Sequence, residues 1–166
     1  MKWKALEQKL PDMIWLMYHA HKKIQIEYFE WLEGIKRQYD EILVIPNKEV
    51  YGFFGIDSIE KNIKMYLYGE YIEKRILRKV SGKGIVPDTL ENKKVWEKDI
   101  DSLRETISID KNLYHMDCEI IVFDEDKVSI AMLAADELVG VIITSPKLYQ
   151  AIKSMFDMIW TAYKKM

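Results

Sequence analysis

The side chains best suited to chemistry are few. The 166 residues hold three histidines, His19, His21 and His115, and one cysteine, Cys118. His19 and His21 share a short polar hinge and His115 is remote, so they lack the spacing of a metal site and read as solvated residues. Cys118 opens the apolar run Cys118 to Phe123, the pattern of a core strand and not the electropositive setting of a reactive thiolate. A lone cysteine forms no internal disulfide, which fits a reducing cytosol. Gly-x-Gly-x-x-Gly, the P-loop and Gly-x-Ser-x-Gly are all absent from the sequence. Ser81-Gly82-Lys83-Gly84 has the composition of a phosphate loop. It leaves a helix and enters a strand, however, whereas amides are aimed at a phosphate by the opposite order, so it reads as a turn.

Two loops carry the remaining polar candidates. Gly55, Asp57 and Ser58 follow one predicted strand, and Asp88 and Thr89 follow another. Each loop opens a helix, whose N-terminal amides and positive dipole end suit an acceptor-bearing ligand. These residues form a candidate ligand pocket at the strand ends; the competing reading makes Asp57, Ser58, Asp88 and Thr89 plain helix caps.

The elements that position these loops follow from apolar periodicity. Ile24 to Phe29 alternates as a strand, and a helix follows with Trp31, Ile35, Tyr39 and Ile42 on one face. Val50 to Phe54 is the next strand. A long helix capped by Asp57 or Ser58 then runs to about Val80, burying Ile59, Ile63, Tyr66, Leu67 and Ile76. After the short strand Ile85-Val86, Asp88 and Glu91 resemble a capping box for a helix that turns Trp96, Ile100 and Leu103 inward. Four β-branched segments follow: Thr106 to Ile109, Cys118 to Phe123, Val128 to Leu133 and Leu138 to Thr144. The last three, joined at Asp124-Glu125-Asp126 and Ala135-Asp136-Glu137, form an antiparallel meander. Ser145-Pro146 starts a final helix striped by Leu148, Ala151, Ile152, Met155, Phe156, Ile159, Trp160 and Tyr163.

At the N-terminus Trp3, Leu6, Leu10, Met13 and Met17 repeat at 3-4-3-4 spacing, interrupted by Pro11. The spacing suits a dimer seam or an ordinary helix packed on its own domain. The apolar fraction of 49% supports one continuous core, and neither repeats nor a low-complexity linker divide the chain. A net charge of -2 with interspersed signs argues against a nucleic-acid surface. No apolar run reaches membrane-spanning length, and Glu7, Lys9 and Asp12 interrupt any signal-peptide core. A cytoplasmic protein without membrane partners is expected.

Several strings in order resemble one family. Leu10-Pro11-Asp12-Met13-Ile14 and Ile26 to Ile35 are similar to the segment following the DNA-binding half of TrmB-type transcription regulators, where a Phe-Tyr-Glu-Gly strand leads into a Glu-Gly-Ile helix. Gly52 to Ser58, Tyr71 to Ile76, Val86 to Thr89, Leu103 to Thr106 and Leu138 to Ile143 fit the same template, which covers about Leu10 to Trp160.

The resemblance implies an α/β fold, a phospholipase D-like mixed sheet flanked by helices. Residues 1–20 would be a connecting or dimerisation helix and residues 21–166 the effector-binding domain. The phospholipase signature is His-x-Lys-x4-Asp, and its register ending at Asp124 puts Asp117 at the histidine nucleophile and Glu119 at the phosphate-holding lysine. Two carboxylates there would repel a phosphate oxyanion. The resemblance therefore implies a non-catalytic regulatory domain that senses a small molecule, a sugar or other metabolite, and dimerises. It implies no cofactor or metal, and DNA contact only through a helix-turn-helix that this chain lacks. The alternatives are a protein-interaction module without a ligand and an enzyme of phosphodiesterase type using Asp117 and Glu119.

Overall fold

The computed structural model describes residues 24–55, 59–89 and 99–164. Trp3, Leu6, Leu10, Met13 and Met17 of the expected seam, and Asp57 and Ser58 of the candidate pocket, lie outside these. No described helix is long and apolar enough to cross a membrane.

Seven strands build one mixed sheet: β1 (Gln25–Glu30), β2 (Glu49–Phe53), β3 (Ser81–Pro87), β4 (Arg104–Ile109), β5 (Glu119–Phe123), β6 (Lys127–Ala134) and β7 (Glu137–Thr144). Their order across the sheet is β1-β7-β6-β5-β2-β3-β4. β2, β3 and β4 run parallel, whereas β5, β6 and β7 form the antiparallel meander that the turn residues predict. Its first hairpin holds Asp124 and Glu125 at φ of 55° and 61°. Such left-handed backbone favours short polar residues like aspartate over bulky ones.

Helices cover both faces. On one lie α1 (Trp31–Ile42), α2 (Lys61–Tyr66), a π-helical turn (Leu67–Tyr71) and α3 (Ile72–Leu77); on the other lies α4 (Pro146–Lys164). The period-two alternation of each strand feeds both cores. Val50, Ile121 and Phe123 pack beneath α1 and the π turn, while Phe53, Ile85 and Val122 pack towards α4. In α4 Phe156 stacks on Trp160 with ring centroids 5.3 Å apart.

Several local expectations are overturned. Ser81-Gly82-Lys83-Gly84 is not a turn but the first half of β3, in register with Glu49 to Gly52 of β2. Glycine's low strand preference is overridden by pairing on both sides, over five residues with β2 and six with β4. The long helix is broken into α2, π turn and α3; α2 is capped by Glu60, whose Oε2 accepts from the amides of Asn62 and Ile63 at 2.8 and 2.9 Å. Ile76 faces solvent, because the extra residue of the π turn rotates the stripe that follows it. Residues 99–103 form turns, not the end of a helix. Ile100 is 91% exposed there, and Leu103 sits at φ 50° on the surface. Trp31 is 74% exposed at φ 64°, where the chain turns from β1 into α1. In α4 Ala151 and Met155 point outward, and Tyr149 takes the buried position.

Candidate functional site

The residue pattern of β3 opens a space in the core. Gly82, Gly84 and Val86 point towards the helical layer, so two successive positions on this face carry no side chain. The alternate residues serve the other face: Lys83 pairs with Glu49 at 3.0 Å, and Ile85 packs towards α4. Gly52 of β2 is the register partner of Gly84. The Phe54 ring folds back over this glycine pair: a β-carbon at Gly52 would approach it to 2.4 Å, and one at Gly84 to 3.2 Å.

Beside Phe54 remains a cavity of about 110 Å³. Its floor is Val50, Gly82, Gly84, Thr106, Glu119 and Ile121, from four adjacent strands. Its roof is Tyr39 of α1, Leu67, Tyr68 and Tyr71 of the π turn, and Ile72 and Arg75 of α3. The π turn is what brings Leu67, Tyr68 and Tyr71 over one space. A π segment inside a helix is an uncommon geometry that recurs at functional sites.

The charged residues of the wall are largely engaged. Arg75 is buried, and its guanidinium donates from Nη1 to the Val80 and Leu103 carbonyls at 3.0 and 3.2 Å and from Nη2 to the Ser102 carbonyl. Burial lowers its proton affinity, yet its role is to hold the loop before β4. Arg104 Nε pairs with Asp99 at 2.6 Å. Glu119 is buried and accepts from the Tyr39 hydroxyl. Burial raises its carboxyl from 4.5 to about 7, with the hydrogen bond from Tyr39 opposing. The Tyr39 hydroxyl is driven well above its ordinary value, by burial first and then by the Glu119 charge.

The three motif-register positions do not converge. Glu119 opens β5 in the cavity wall, and Asp124 stands beyond the other end of the strand, about 16 Å away at the usual rise per residue. Asp124 is paired with Lys48 and, at 3.3 Å, with Lys127. Asp117 is exposed in the loop before β5. Asp117 and Glu119 border one shallow crease with Gly55, Cys118, Ala131 and Leu133. A β-carbon at Gly55 would meet the Met116 carbonyl oxygen at 2.0 Å, so the close approach that this glycine permits is made by the chain itself. Asp88 lies at the end of β3, its amide donating to the Ile109 carbonyl at 2.7 Å. Neither Asp88 nor Thr89 borders the cavity or the crease.

Cys118, expected as the first residue of a core strand, is half-buried just before β5. Burial and the Asp117 and Glu119 carboxylates push its thiol upward, away from the thiolate. Among the described residues no group of three or more His, Cys, Asp or Glu is arranged for a metal ion. Sequence reasoning missed Tyr39, Tyr71, Arg75 and the glycine floor as site residues. The available signal was the spacing of Gly82 and Gly84 by two directly before Ile85-Val86, which continues a strand in phase.

The mixed sheet, its parallel and antiparallel halves, and helices on both faces define an α/β fold of the phospholipase D-like class. Three solved structures are similar to it. TrmBL2, an archaeal chromatin protein described as binding DNA in a novel mode, has a TM-score of 0.62 at 20% identity over 96% of this chain. NucT from Helicobacter pylori has a TM-score of 0.55 at 11% identity, covering 82% of this chain and 95% of its own. Phosphatidylserine synthase from Haemophilus influenzae Rd KW20 has a TM-score of 0.54 at 10% identity, covering 84% of this chain and 39% of its own. This chain spans 60% of the length of TrmBL2. No protein-family model matches the chain, and neither does any curated protein sequence.

Proposed function

We propose that the chain is a non-catalytic regulatory domain, of the kind found in TrmB-type transcription regulators, and that it responds to a small-molecule effector in the cytoplasm. The observation that carries this reading is the cavity between the sheet and the π turn. A phosphodiesterase of this fold needs a nucleophile and a cation beside the scissile phosphate. Here the corresponding positions are an exposed Asp117 and a buried Glu119 held by Tyr39. What the fold retains is a partly open space whose roof is an irregular helix, an arrangement able to change packing when filled. DNA binding is described for TrmBL2, and the effector-sensing role proposed for this chain does not require it.

The test is a melting-temperature screen of the whole chain against a metabolite panel that includes sugars, followed by calorimetric titration of hits. Saturable stabilisation that is lost on filling the cavity supports the reading. A panel without effect overturns it, as does hydrolysis of a generic phosphodiester that disappears in Asp117→Asn.

A second reading, a protein-interaction module, is favoured by the sheet edge. Among the described residues β1 is the terminal strand, and Ile24, Ile26 and Tyr28 are exposed along it. An unpaired apolar edge is a ready surface for a second chain. A dimer by light scattering that Ile26→Lys dissociates supports this surface as the dimer contact, and a concentration-independent monomer overturns it.

A further inference from the structure

The shape and chemistry of the cavity restrict what it can hold, and the restriction rests on the effector-binding reading above. We propose that the ligand is a small uncharged ring compound of about the size of phenol, held between β3 and the π turn, with a hydroxyl directed to Thr106. Three observations converge on this class.

The first is size. A void of roughly 150 Å³ lined by apolar side chains accommodates one benzene ring, and this cavity of about 110 Å³ sits at that scale. A six-membered sugar would bring a hydroxyl at nearly every carbon against a mostly apolar wall, leaving buried donors unpaired.

The second is shape. Gly82 and Gly84 carry no side chains; Arg75 and Val50 stand against the first and the Phe54 ring against the second, and the space beside them is walled by Tyr39, Phe54, Tyr68 and Tyr71. Aromatic walls fit a planar ligand, since aromatic pairs gain most in offset or edge-on contact.

The third is charge. An anionic ligand needs a cation free to meet it, and the Arg75 guanidinium is committed to the Val80, Leu103 and Ser102 carbonyls. Arg104, which also lines the cavity, is paired with Asp99 at 2.6 Å, and the Lys83 ammonium is paired with Glu49 at 3.0 Å. The neutral polar group nearest the Gly84 backbone is Thr106, its register partner, whose Oγ1 lies 3.8 Å from where a β-carbon at 84 would stand.

Gly82 also provides the test. A β-carbon there would lie 3.5 Å from Arg75 Nη1 and 3.7 Å from Val50 Cγ2, ordinary contact distances, so Gly82→Ala fits the fold while raising the floor by a methyl group. The experiment titrates the full chain with phenol and with benzene, following backbone amide shifts by NMR. Saturable shifts centred on Gly82 and Gly84 are expected. Gly82→Ala should weaken phenol roughly tenfold or more without loss of melting temperature. Ile72→Phe, which plugs the space from the helical side, should do the same should Gly82→Ala disturb the strand. Thr106→Val should weaken phenol roughly fivefold and leave benzene unchanged, the signature of one lost hydrogen bond. Unchanged phenol affinity in both cavity-filling variants overturns the proposal. If phenol gives no shift but a polar metabolite perturbs Gly82 and Gly84, the ligand class is wrong and the effector-binding reading stands. If neither shifts these amides, both fall.

Discussion

Tyr39 of α1 and Glu119 of β5 are joined by a hydrogen bond that ties the helical layer to the sheet, the tyrosine hydroxyl donating to the carboxylate Oε2. Both residues are buried, and both line the cavity. The pair explains why an acid is tolerated inside the core: burial favours its neutral form, and one good donor compensates its oxygen.

This acid makes stability pH-dependent in a defined direction. Its folded-state carboxyl titrates at about 7 against an ordinary 4.5. Between those values the folded protein binds the proton and the unfolded chain does not. The contribution is therefore complete below pH 4.5 and is lost as pH rises through about 7, the reverse of an ion-paired carboxylate. Urea midpoints should fall across this window by an amount equivalent to about 3 kcal/mol at most. Glu119→Gln should remove this slope. Tyr39→Phe deletes the donor that favours the ionised form, so the fall should move to higher pH. A Glu119→Gln profile parallel to wild type across the same range would sink the assignment.

The end of α3 carries a second testable strain. Lys79 adopts φ 54° just past the helix, where its amide donates to the Ile76 carbonyl at 2.9 Å and the Val80 amide to the Arg75 carbonyl at 3.0 Å. These two bonds form a Schellman termination, whose left-handed residue is usually glycine. A lysine there accepts a steric cost of about 1–2 kcal/mol, and its side chain is exposed. Lys79→Gly should raise stability by about 0.5–1 kcal/mol, after the greater chain entropy of unfolded glycine is subtracted. A lowered melting temperature would show that the lysine makes a compensating contact.

What the sequence revealed depended on how locally each feature is encoded. The meander was legible because Val128 to Leu133 and Leu138 to Thr144 are rich in β-branched residues and two acidic turns bracket them. The site was not. Ser81 to Gly84 becomes a strand only because β2 and β4 flank it, a consequence of pairing partners about 20 to 30 residues distant. The π turn is equally invisible, since Leu67 to Tyr71 keeps an apolar stripe that an α-helix would also produce. Glu119 was noticed as the residue in a lysine's place. That it is neutralised by burial and held by Tyr39, 80 residues earlier, is a property of the folded chain alone.

The same dependence on distant packing sets the sharpest stability prediction. Gly140 of β7 lies directly under Gln38 of α1, and a β-carbon at 140 would come within 1.7 Å of the amide oxygen. Gln38 has no freedom to retreat. It is fully buried, and its Nε2 donates to Ser129 Oγ at 2.8 Å and to the Ile130 and Val141 carbonyls at 3.0 and 3.1 Å. Its own oxygen has no hydrogen-bond partner among the described residues, so the amide is already held at some cost for the sake of its donors. Gly140→Ala must either push α1 off the sheet or break these bonds, and each route costs about 1–3 kcal/mol. A loss of about 3 kcal/mol in chemical denaturation is expected for the single variant. Pairing it with Gln38→Ala removes the clash, so the double variant should be less destabilised than the sum of the two singles. Strict additivity in that cycle would mean that the two residues do not meet as described.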